Sequence, residues 1–305
     1  MAGEARFGVM LPTFGQGATP EAFGRFAEQA EDGNFDAIWV GDHVTFPEEI
    51  PETYPFSPSG ESPFDIGQDT YELFQLLSFL AARTETVDVG SNACIVPYRH
   101  PAVLARNALS IEALSGGRFD FGVAPGWMRT EFEVLDVPFK QRGSRTDEFL
   151  RIFERACGDG AFAFDGSHHS FQKTGFHPTP ADGRPKIWIG GKSGAAFRRV
   201  AEFGDGWTIF WDRPAEIRSA HERIMNAWTD YDRAGEPEIA VVRAVDVDDD
   251  SEHDTSRPFV GSAATIREDI EAYRDAGVTT VIFDFYDRTT DGQMEQMERL
   301  ADRVL

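Results

Sequence analysis

The 305-residue sequence predicts an α/β fold, a TIM (β/α)8 barrel with long loop insertions. Eight apolar, β-branched segments alternate strictly with eight amphipathic segments of helical length, and such alternation is typical of a parallel sheet. Eight such units in a chain somewhat longer than about 250 residues favour a closed barrel. A doubly wound sheet is the alternative, because counting elements does not show that the sheet closes.

The elements follow one another along the whole chain. The predicted strands are 6–11, 36–40, 87–96, 119–124, 186–190, 206–210, 239–247 and 279–285. The predicted helices are 20–33, 70–83, 101–115, 144–157, 193–203, 214–234, 262–276 and 290–304. Thr19 and Pro20 mark the first helix start, as an N-cap residue followed by a proline at the first helical position. Gly33 and Gly277 stand where helices should stop.

Two connections are too long to be simple turns. Residues 41–69 contain five prolines and follow the carboxyl end of the second predicted strand, which in a barrel is the active-site face. Residues 158–185 form a second long connection, before the fifth predicted strand. We expect one domain over residues 1–305, with 41–69 as an active-site loop and 158–185 as a second insertion.

The charge is the unusual feature of the composition. The net charge is −23, and only four of the 29 basic residues are lysines. A field this negative repels nucleic acid and anionic membrane surfaces. One interpretation is a solubilising surface, and the other is a halophilic protein whose self-repulsion is screened by molar salt. The halophile hypothesis predicts a melting temperature that falls when the salt is removed.

Several classes of protein are not supported. Two cysteines, Cys94 and Cys157, do not make a disulfide framework or a four-cysteine zinc site. No basic region followed by an apolar run opens the sequence, and no apolar run approaches about 18 residues, so we expect a cytoplasmic protein. Gly15-Gln16-Gly17 and Gly191-Lys192-Ser193 lack the remaining glycines of nucleotide-binding motifs. His168, His169 and His177 are more typical of a loop than of metal ligands, and we assign no metal.

Four strand ends carry candidate site residues. Gly190, Gly191, Lys192, Ser193 and Gly194 end the fifth strand and open a helix, an arrangement that suits either an anion or bound water. Asp42 and His43 follow the second strand, where a histidine can relay protons or simply pack in the loop. Asn92, Ala93, Cys94 and Ile95 lie at the end of the third strand, and Cys94 is more typical of a buried apolar residue than of a nucleophile. Gly126 and Trp127 after the fourth strand, and Trp207 on the sixth, suit either an aromatic wall or the core.

Five blocks of sequence, taken together, resemble the bacterial luciferase-like family of flavin and deazaflavin oxidoreductases. They are IWVGDHV (38–44), GSNACIVPYRHPAVLARNALSIEALSGGRFDFGVAPGW (90–127), EFEVLDVPFKQRGSRTDE (131–148), PKIWIGGKSGAAFRRVAEFGDGW (185–207) and VGSAATIREDIEAYRDAGVTTVIF (260–283). The resemblance covers nearly the whole chain in the family's order. It implies a TIM barrel with the cofactor ring in the mouth at the C-terminal ends of the strands.

The resemblance also implies roles for the candidate residues. Residues 190–194 hold the cofactor phosphate, and residues 92–95 back the ring, with a non-proline cis peptide around Ala93, Cys94 and Ile95. Asp42 and His43 border the reactive face of the ring, and Trp127 and Trp207 help to form the pocket wall. A homodimer is expected by analogy with other luciferase-like barrels.

The subgroup is suggested by Asp42-His43-Val44 and the proline-rich stretch 54–64, which resemble members that use coenzyme F420, a deazaflavin that transfers hydride. Sugar-phosphate and alcohol dehydrogenase members carry a tryptophan soon after this histidine and a glutamate just after strand 4. Here Phe46 and Pro47 occupy the first region, and Glu131 is the nearest acid to the second. This departure argues against those substrates and leaves the general acid unassigned.

We therefore predict a coenzyme F420-dependent oxidoreductase that transfers a hydride between the deazaflavin and a small organic substrate. The alternatives are an FMN-dependent luciferase-like monooxygenase on the same fold and a non-catalytic flavin-binding barrel.

Overall fold

The computed structural model of the protein describes residues 5–15, 17–55, 60–181, 183–248, 258–285 and 289–305. Its strands are β1 (Arg6–Met10), β2 (Ala37–Val40), β3 (Asp88–Ile95), β4 (Phe119–Ala124), β5 (Ala161–Asp165), β6 (Ser170–Gly175), β7 (Lys186–Gly190), β8 (Gly206–Phe210), β9 (Glu238–Val247), β10 (Val260–Gly261) and β11 (Thr280–Phe285). Its α-helices are α1 (Pro20–Asp32), α2 (Leu73–Ala81), α3 (Pro101–Ser115), α4 (Arg129–Val134), α5 (Arg142–Gly158), α6 (Gly194–Phe203), α7 (Pro214–Asp230), α8 (Ala263–Arg274) and α9 (Thr290–Arg303).

Eight parallel strands close into a barrel. From β1 the order is β2, β3, β4, β7, β8, β9 and β11, and β11 pairs again with β1. The pairing of β8 with β9 joins the two parts of the sheet, so the barrel is confirmed and the doubly wound alternative is wrong. The short strand β10 extends the sheet only beside the far end of β9.

The predicted strands end within one residue of the observed ones, whereas three features were missed. The insertion 158–185 contains an antiparallel hairpin, β5 and β6, and a short helix, α4, follows β4. The helix predicted over 214–234 ends at Asp230, because Asp232 adopts a φ of 52° that an α-helix does not allow. None of the described helices combines the length and the apolar character needed to cross a membrane.

The start of α1 shows how the sequence sets an element boundary. The Thr19 hydroxyl accepts a hydrogen bond from the Ala22 N–H at 3.2 Å, and Pro20 occupies the first turn. Both features satisfy or avoid the free N–H groups at a helix start. The predicted N-cap is therefore confirmed.

Two tryptophans fill the middle of the barrel. Trp39 on β2 and Trp188 on β7 are fully buried, and their rings meet nearly edge to face with centroids 5.9 Å apart. Glycines on neighbouring strands leave the room that these rings occupy. A Cβ at Gly90 would lie 2.7 Å from the Trp39 ring, and one at Gly206 would lie 2.5 Å from the Trp188 ring. The interior is thus a packed core and not a pore.

Charged side chains occupy the N-terminal end of the barrel, below the tryptophans. Arg6 forms ion pairs with Asp88 at 2.5 Å and with Asp120 at 3.2 Å. The indole N–H of Trp188 donates to Asp120 Oδ1 at 2.9 Å. We call Arg6, Asp88, Asp120 and Trp188 the basal network. It ties the four strands β1, β3, β4 and β7 together at the end opposite the mouth.

Candidate active site at the barrel mouth

The third strand ends in an irregular segment. The peptide bond between Asn92 and Ala93 is cis, one position before the predicted segment 93–95, and the register of β3 with β4 shifts between Ser91 and Cys94. Gly122 on β4 makes room for this bulge, because a Cβ there would collide with the Ser91 carbonyl oxygen. The predicted non-proline cis peptide at the end of strand 3 is therefore confirmed.

Asn92 leaves one hydrogen-bonding group without a partner in the described part of the chain. Its Oδ1 accepts from the Thr208 hydroxyl at 3.2 Å, whereas its Nδ2 is buried and unbonded. Asn92 is only 4% exposed, so the lost hydration of Nδ2 is not replaced. A buried amide without a partner costs about 1–3 kcal/mol, which a ligand oxygen at this position would offset.

Asp42 binds the irregular end of β3. Its carboxylate accepts two hydrogen bonds from Arg99, at 2.7 and 2.8 Å, and one from the Ile95 N–H at 2.8 Å. Arg99 is also bonded to Glu72, and Asp42 is 4% exposed. The prediction that Asp42 borders the reactive face thus needs correction, because its contacts fix the end of β3 instead.

His43 is held by a glutamate that the sequence did not assign. His43 Nδ1 lies 3.0 Å from Glu131 Oε2, which also accepts from the Tyr98 hydroxyl at 2.7 Å. The other oxygen, Oε1, accepts from the Val44 N–H at 2.5 Å and the Thr45 N–H at 3.2 Å. The short helix α4 delivers Glu131 to this position. Glu131, five residues beyond Gly126, is thus the acid after strand 4 that contacts His43.

The environment keeps Glu131 ionised. Its burial opposes ionisation, but the hydrogen bonds from His43, Tyr98 and the Val44 N–H outweigh this effect and lower its pKa. Burial and the adjacent Glu131 charge raise the pKa of Tyr98, which therefore donates. An ionised Glu131 requires the proton of neutral His43 to lie on Nδ1. Nε2, which makes no hydrogen bond among the described residues, then carries the free lone pair.

Aromatic rings from the 41–69 loop surround His43. Phe64 and Phe46 lie 4.5 and 5.2 Å from the imidazole, centroid to centroid, and their own rings stack 4.4 Å apart. Tyr54 packs edge-on against Phe64 and, at 5.5 Å, against Trp127. The prediction that this loop shapes the site is supported by these contacts. We call Phe46, Tyr54, Phe64 and Trp127 the aromatic wall.

The glycine turn lies at the end of β7. Gly191 has a φ of 110°, and residues 191–195 are exposed. Ser193 caps α6 by accepting from the Ala196 N–H at 3.1 Å, and Lys192 pairs with the buried Asp212. The Ser193 and Lys192 side chains therefore support the turn, and the exposed N-terminal amides of α6 are the groups that suit an anion.

The two tryptophans predicted to form the pocket wall have different positions. Trp127 is partly exposed and belongs to the aromatic wall. Trp207 is fully buried, packs against Phe197 at 5.8 Å, and donates its indole N–H to the Gly191 carbonyl at 2.7 Å. The prediction that Trp207 lines the pocket is wrong, because it holds the glycine turn from behind. Period-two alternation on β8 could have shown this, since Gly206 and Thr208 face the interior.

The remaining predicted residues shape the backbone. Gly126 has a φ of 86°, and a Cβ there would lie 2.7 Å from Ile95 and 2.9 Å from Phe132. Cys94 is fully buried, and burial raises its thiol pKa, so it is the apolar residue that the sequence favoured. Gly190 is also buried, and a Cβ there would lie 3.3 Å from Ala124.

Asp284 on β11 is a mouth residue that the sequence did not suggest. It lies two residues beyond Ile282, which packs in the barrel interior, and therefore faces the mouth. Burial raises its pKa to about 6. Burial and the charge of Asp284 raise the pKa of Tyr54 in the aromatic wall.

Two histidines of the second insertion, 158–185, contact other side chains of the protein. His169 lies against Glu148, and His168 lies against Ser144.

Known proteins agree with this architecture. The model of the luciferase-like monooxygenase family matches residues 5–257. An uncharacterised protein of Mycobacterium tuberculosis is 31% identical over 216 residues, which are 71% of this chain and 74% of that protein. Two solved structures share the fold. An F420-dependent secondary alcohol dehydrogenase with an F420–acetone adduct has a TM-score of 0.80 at 14% identity and covers 99% of both chains. The monooxygenase RslO1 of Streptomyces bottropensis has a TM-score of 0.79 at 17% identity and covers 98% of both.

The closed barrel, the irregular end of β3 and the match over most of the sequence agree with one another. The chain belongs to the luciferase-like monooxygenase family, whose members are oxidoreductases and monooxygenases.

Proposed function

We propose that the protein is a coenzyme F420-dependent oxidoreductase that transfers a hydride between the deazaflavin and a small organic substrate. The observation that carries the proposal is the hydrogen bond between His43 and the ionised Glu131. Hydride transfer to or from a carbon bonded to oxygen or nitrogen requires a proton to move as well. A histidine in one fixed tautomer suits that task near neutral pH.

Residues at the mouth fit such a cofactor. Asn92 Nδ2 is a buried donor without a described partner, and the exposed amides at the start of α6 suit a phosphate. Trp127 offers a partly exposed aromatic face beside Tyr54 of the 41–69 loop. When bound, F420 supplies a ring carbon that accepts or donates hydride.

His43 moves the proton in this proposal. Nε2 accepts the proton of a substrate hydroxyl or amine when the substrate is oxidised, and it returns the proton when the substrate is reduced. Glu131 holds Nδ1–H and stabilises the imidazolium that forms. Because Glu131 is fully buried, its contact with His43 is little screened by water.

The aromatic wall and Phe14 define the substrate side. Phe14 packs edge-on against Phe64 at 5.1 Å, so that apolar rings approach His43 from two loops. These rings limit the exposed fraction of the His43 side chain to 18% and favour an apolar substrate body. The F420-dependent alcohol dehydrogenase of similar fold supports the proposal by analogy alone.

The second candidate is an FMN-dependent monooxygenase. The same donor at Asn92 and the same amides at α6 suit FMN, and an aromatic pocket lining suits oxygen chemistry as well. Substrate oxidation that consumes oxygen would favour this candidate. A non-catalytic barrel is the third candidate, and turnover that depends on His43 would contradict it.

Cofactor titration tests the proposal. The protein is stripped of ligand in molar salt, and its tryptophan fluorescence is followed while F420 or FMN is added separately. We expect saturable quenching by F420 that Trp127→Phe weakens and Trp228→Phe, on α7, leaves intact. Quenching by FMN alone, with oxygen uptake during turnover, would contradict the F420 assignment.

A further inference from the structure

Two arginines at the rim of the mouth share one aromatic ring. The guanidinium carbons of Arg129 and Arg142 lie 4.3 and 3.9 Å from the ring centroid of Phe139. We call Arg129 and Arg142 the guanidinium pair. Such contacts with the face of a ring hold a guanidinium group in place. Arg142 donates one N–H to the Phe139 carbonyl at 3.1 Å, and its other donors remain available.

The guanidinium pair has no carboxylate partner within the part of the chain that the structure describes. Arg6, Arg99, Arg184 and Arg199, by contrast, each pair with a carboxylate. Burial and the charge of Arg129 lower the pKa of Arg142, so the charge that acts on it is a like charge. In a protein of net charge −23, two neighbouring cations without an anion indicate a binding surface.

The guanidinium pair lies beside the proposed phosphate site. Phe139 packs edge-on against Phe132 at 5.1 Å, and Phe132 lies directly behind Gly126 at the end of β4. Arg199 of α6 donates to the carbonyl of Gly143, the residue after Arg142, at 3.0 Å. The pair is therefore placed beyond the end of β4, next to the βα unit that contains α6.

We propose that the guanidinium pair binds the anionic chain of the cofactor beyond its phosphate, an inference that rests on the proposed F420 function. F420 continues past its phosphate into a chain of carboxylates, whereas FMN ends at the phosphate. Guanidinium groups bind carboxylates through paired hydrogen bonds. Lys140 and Arg145 add positive charge close to Arg142 in the sequence. The rest of the acidic surface repels such a chain, so the pair also sets its direction.

The test compares F420 that carries its glutamyl chain with the same deazaflavin from which the glutamates have been removed. Fluorescence titration of the full protein is expected to give a roughly tenfold lower Kd for the form with the chain. The double variant Arg129→Gln/Arg142→Gln should lose this preference and bind the form without the chain as the unmodified protein does. The matched control is Lys173→Gln/Arg218→Gln, which removes two exposed cations from β6 and α7 and should keep the preference.

Equal affinity of the unmodified protein for the two forms would overturn the inference and leave the F420 proposal standing. Failure to bind either form would overturn the F420 proposal, and the inference with it. A preference that survives in the double variant would place the chain elsewhere. Circular dichroism and melting curves of each variant show that it folds, so a lost preference is not mistaken for a lost structure.

Discussion

The two ends of the barrel both bury ionisable groups, but they use them differently. In the basal network, Arg6, Asp120 and the Trp188 N–H bind one another across strands of regular register. At the mouth, Nδ2 of Asn92 and Nε2 of His43 have no partner among the described residues, and β3 is irregular. A group that the protein satisfies internally contributes to stability, whereas one left open is available to a ligand. The comparison assigns stability to one end and chemistry to the other.

Changes at His43 and Glu131 should have the largest effect on turnover. We expect His43→Ala to lower kcat about 10²–10⁴-fold, the usual contribution of a positioned acid or base. Glu131→Gln keeps the shape but offers an N–H to Nδ1, so the histidine tautomer reverses and a similar loss follows. The measurement is kcat and KM across pH, with cofactor affinity in parallel. A Glu131→Gln variant whose kcat and pH profile are unchanged would show that Glu131 serves packing alone.

Removing Asp120 should have the next largest effect, and only on stability. Asp120→Ala leaves the buried Trp188 N–H unpaired and takes one carboxylate from Arg6, so we expect a loss of about 3 kcal/mol in the free energy of unfolding. Denaturant titration measures this loss, and kcat per folded molecule should not change. Asp120→Asn, which keeps an acceptor for Trp188, should lose less. A large fall in kcat for folded Asp120→Ala protein would contradict the assignment of stability to the N-terminal end and chemistry to the mouth.

The pH dependence of stability should be the smallest effect. Burial, aided by the Asp120 charge, raises the pKa of Asp88 to about 6 and that of Glu112 to about 7. The folded protein therefore holds protons that the unfolded chain has already lost, and stability falls as pH rises from about 4.5 to 7. Asp88 is a third exposed, so we expect only about 1 kcal/mol from these two groups. Melting curves should show this slope, and Asp88→Asn/Glu112→Gln should reduce it without changing kcat. The part of the slope that remains comes from Asp284 at the mouth, whose pKa is also raised to about 6.

The fold followed from the sequence because each βα unit carries its own pattern. Strand ends were predicted within one residue, because a strand is marked by a local run of apolar residues. Helix starts are marked by equally local signals, such as Thr19 and Pro20 before α1. The β5–β6 hairpin was missed because glycine and two histidines interrupt its short alternation of phenylalanines. Its strands also expose most of their residues, which weakens the apolar signal.

The site was predicted less fully, because its contacts span long distances in sequence. His43 and Glu131 are 88 residues apart in the sequence, and Glu131 reaches His43 because it lies on α4, a helix that was not predicted. Asp42 stands next to His43 and was predicted to border the reactive face, but Arg99, 57 residues away, binds it instead. In both cases the residue types were visible in the sequence, whereas the pairing depended on how separate strand ends meet.

The crossed tryptophans in the middle of the barrel bear on how such a protein can diverge. Trp39 and Trp188 fill the barrel interior between its two ends. Gly90 and Gly206 cannot be replaced by larger residues, because a Cβ at either position would collide with one of the two rings. The two tryptophans therefore separate the loops at the mouth from the basal network, so substitutions in these loops do not disturb the basal network. The 41–69 loop can thus acquire substitutions that change substrate preference while the N-terminal half of the barrel keeps its sequence.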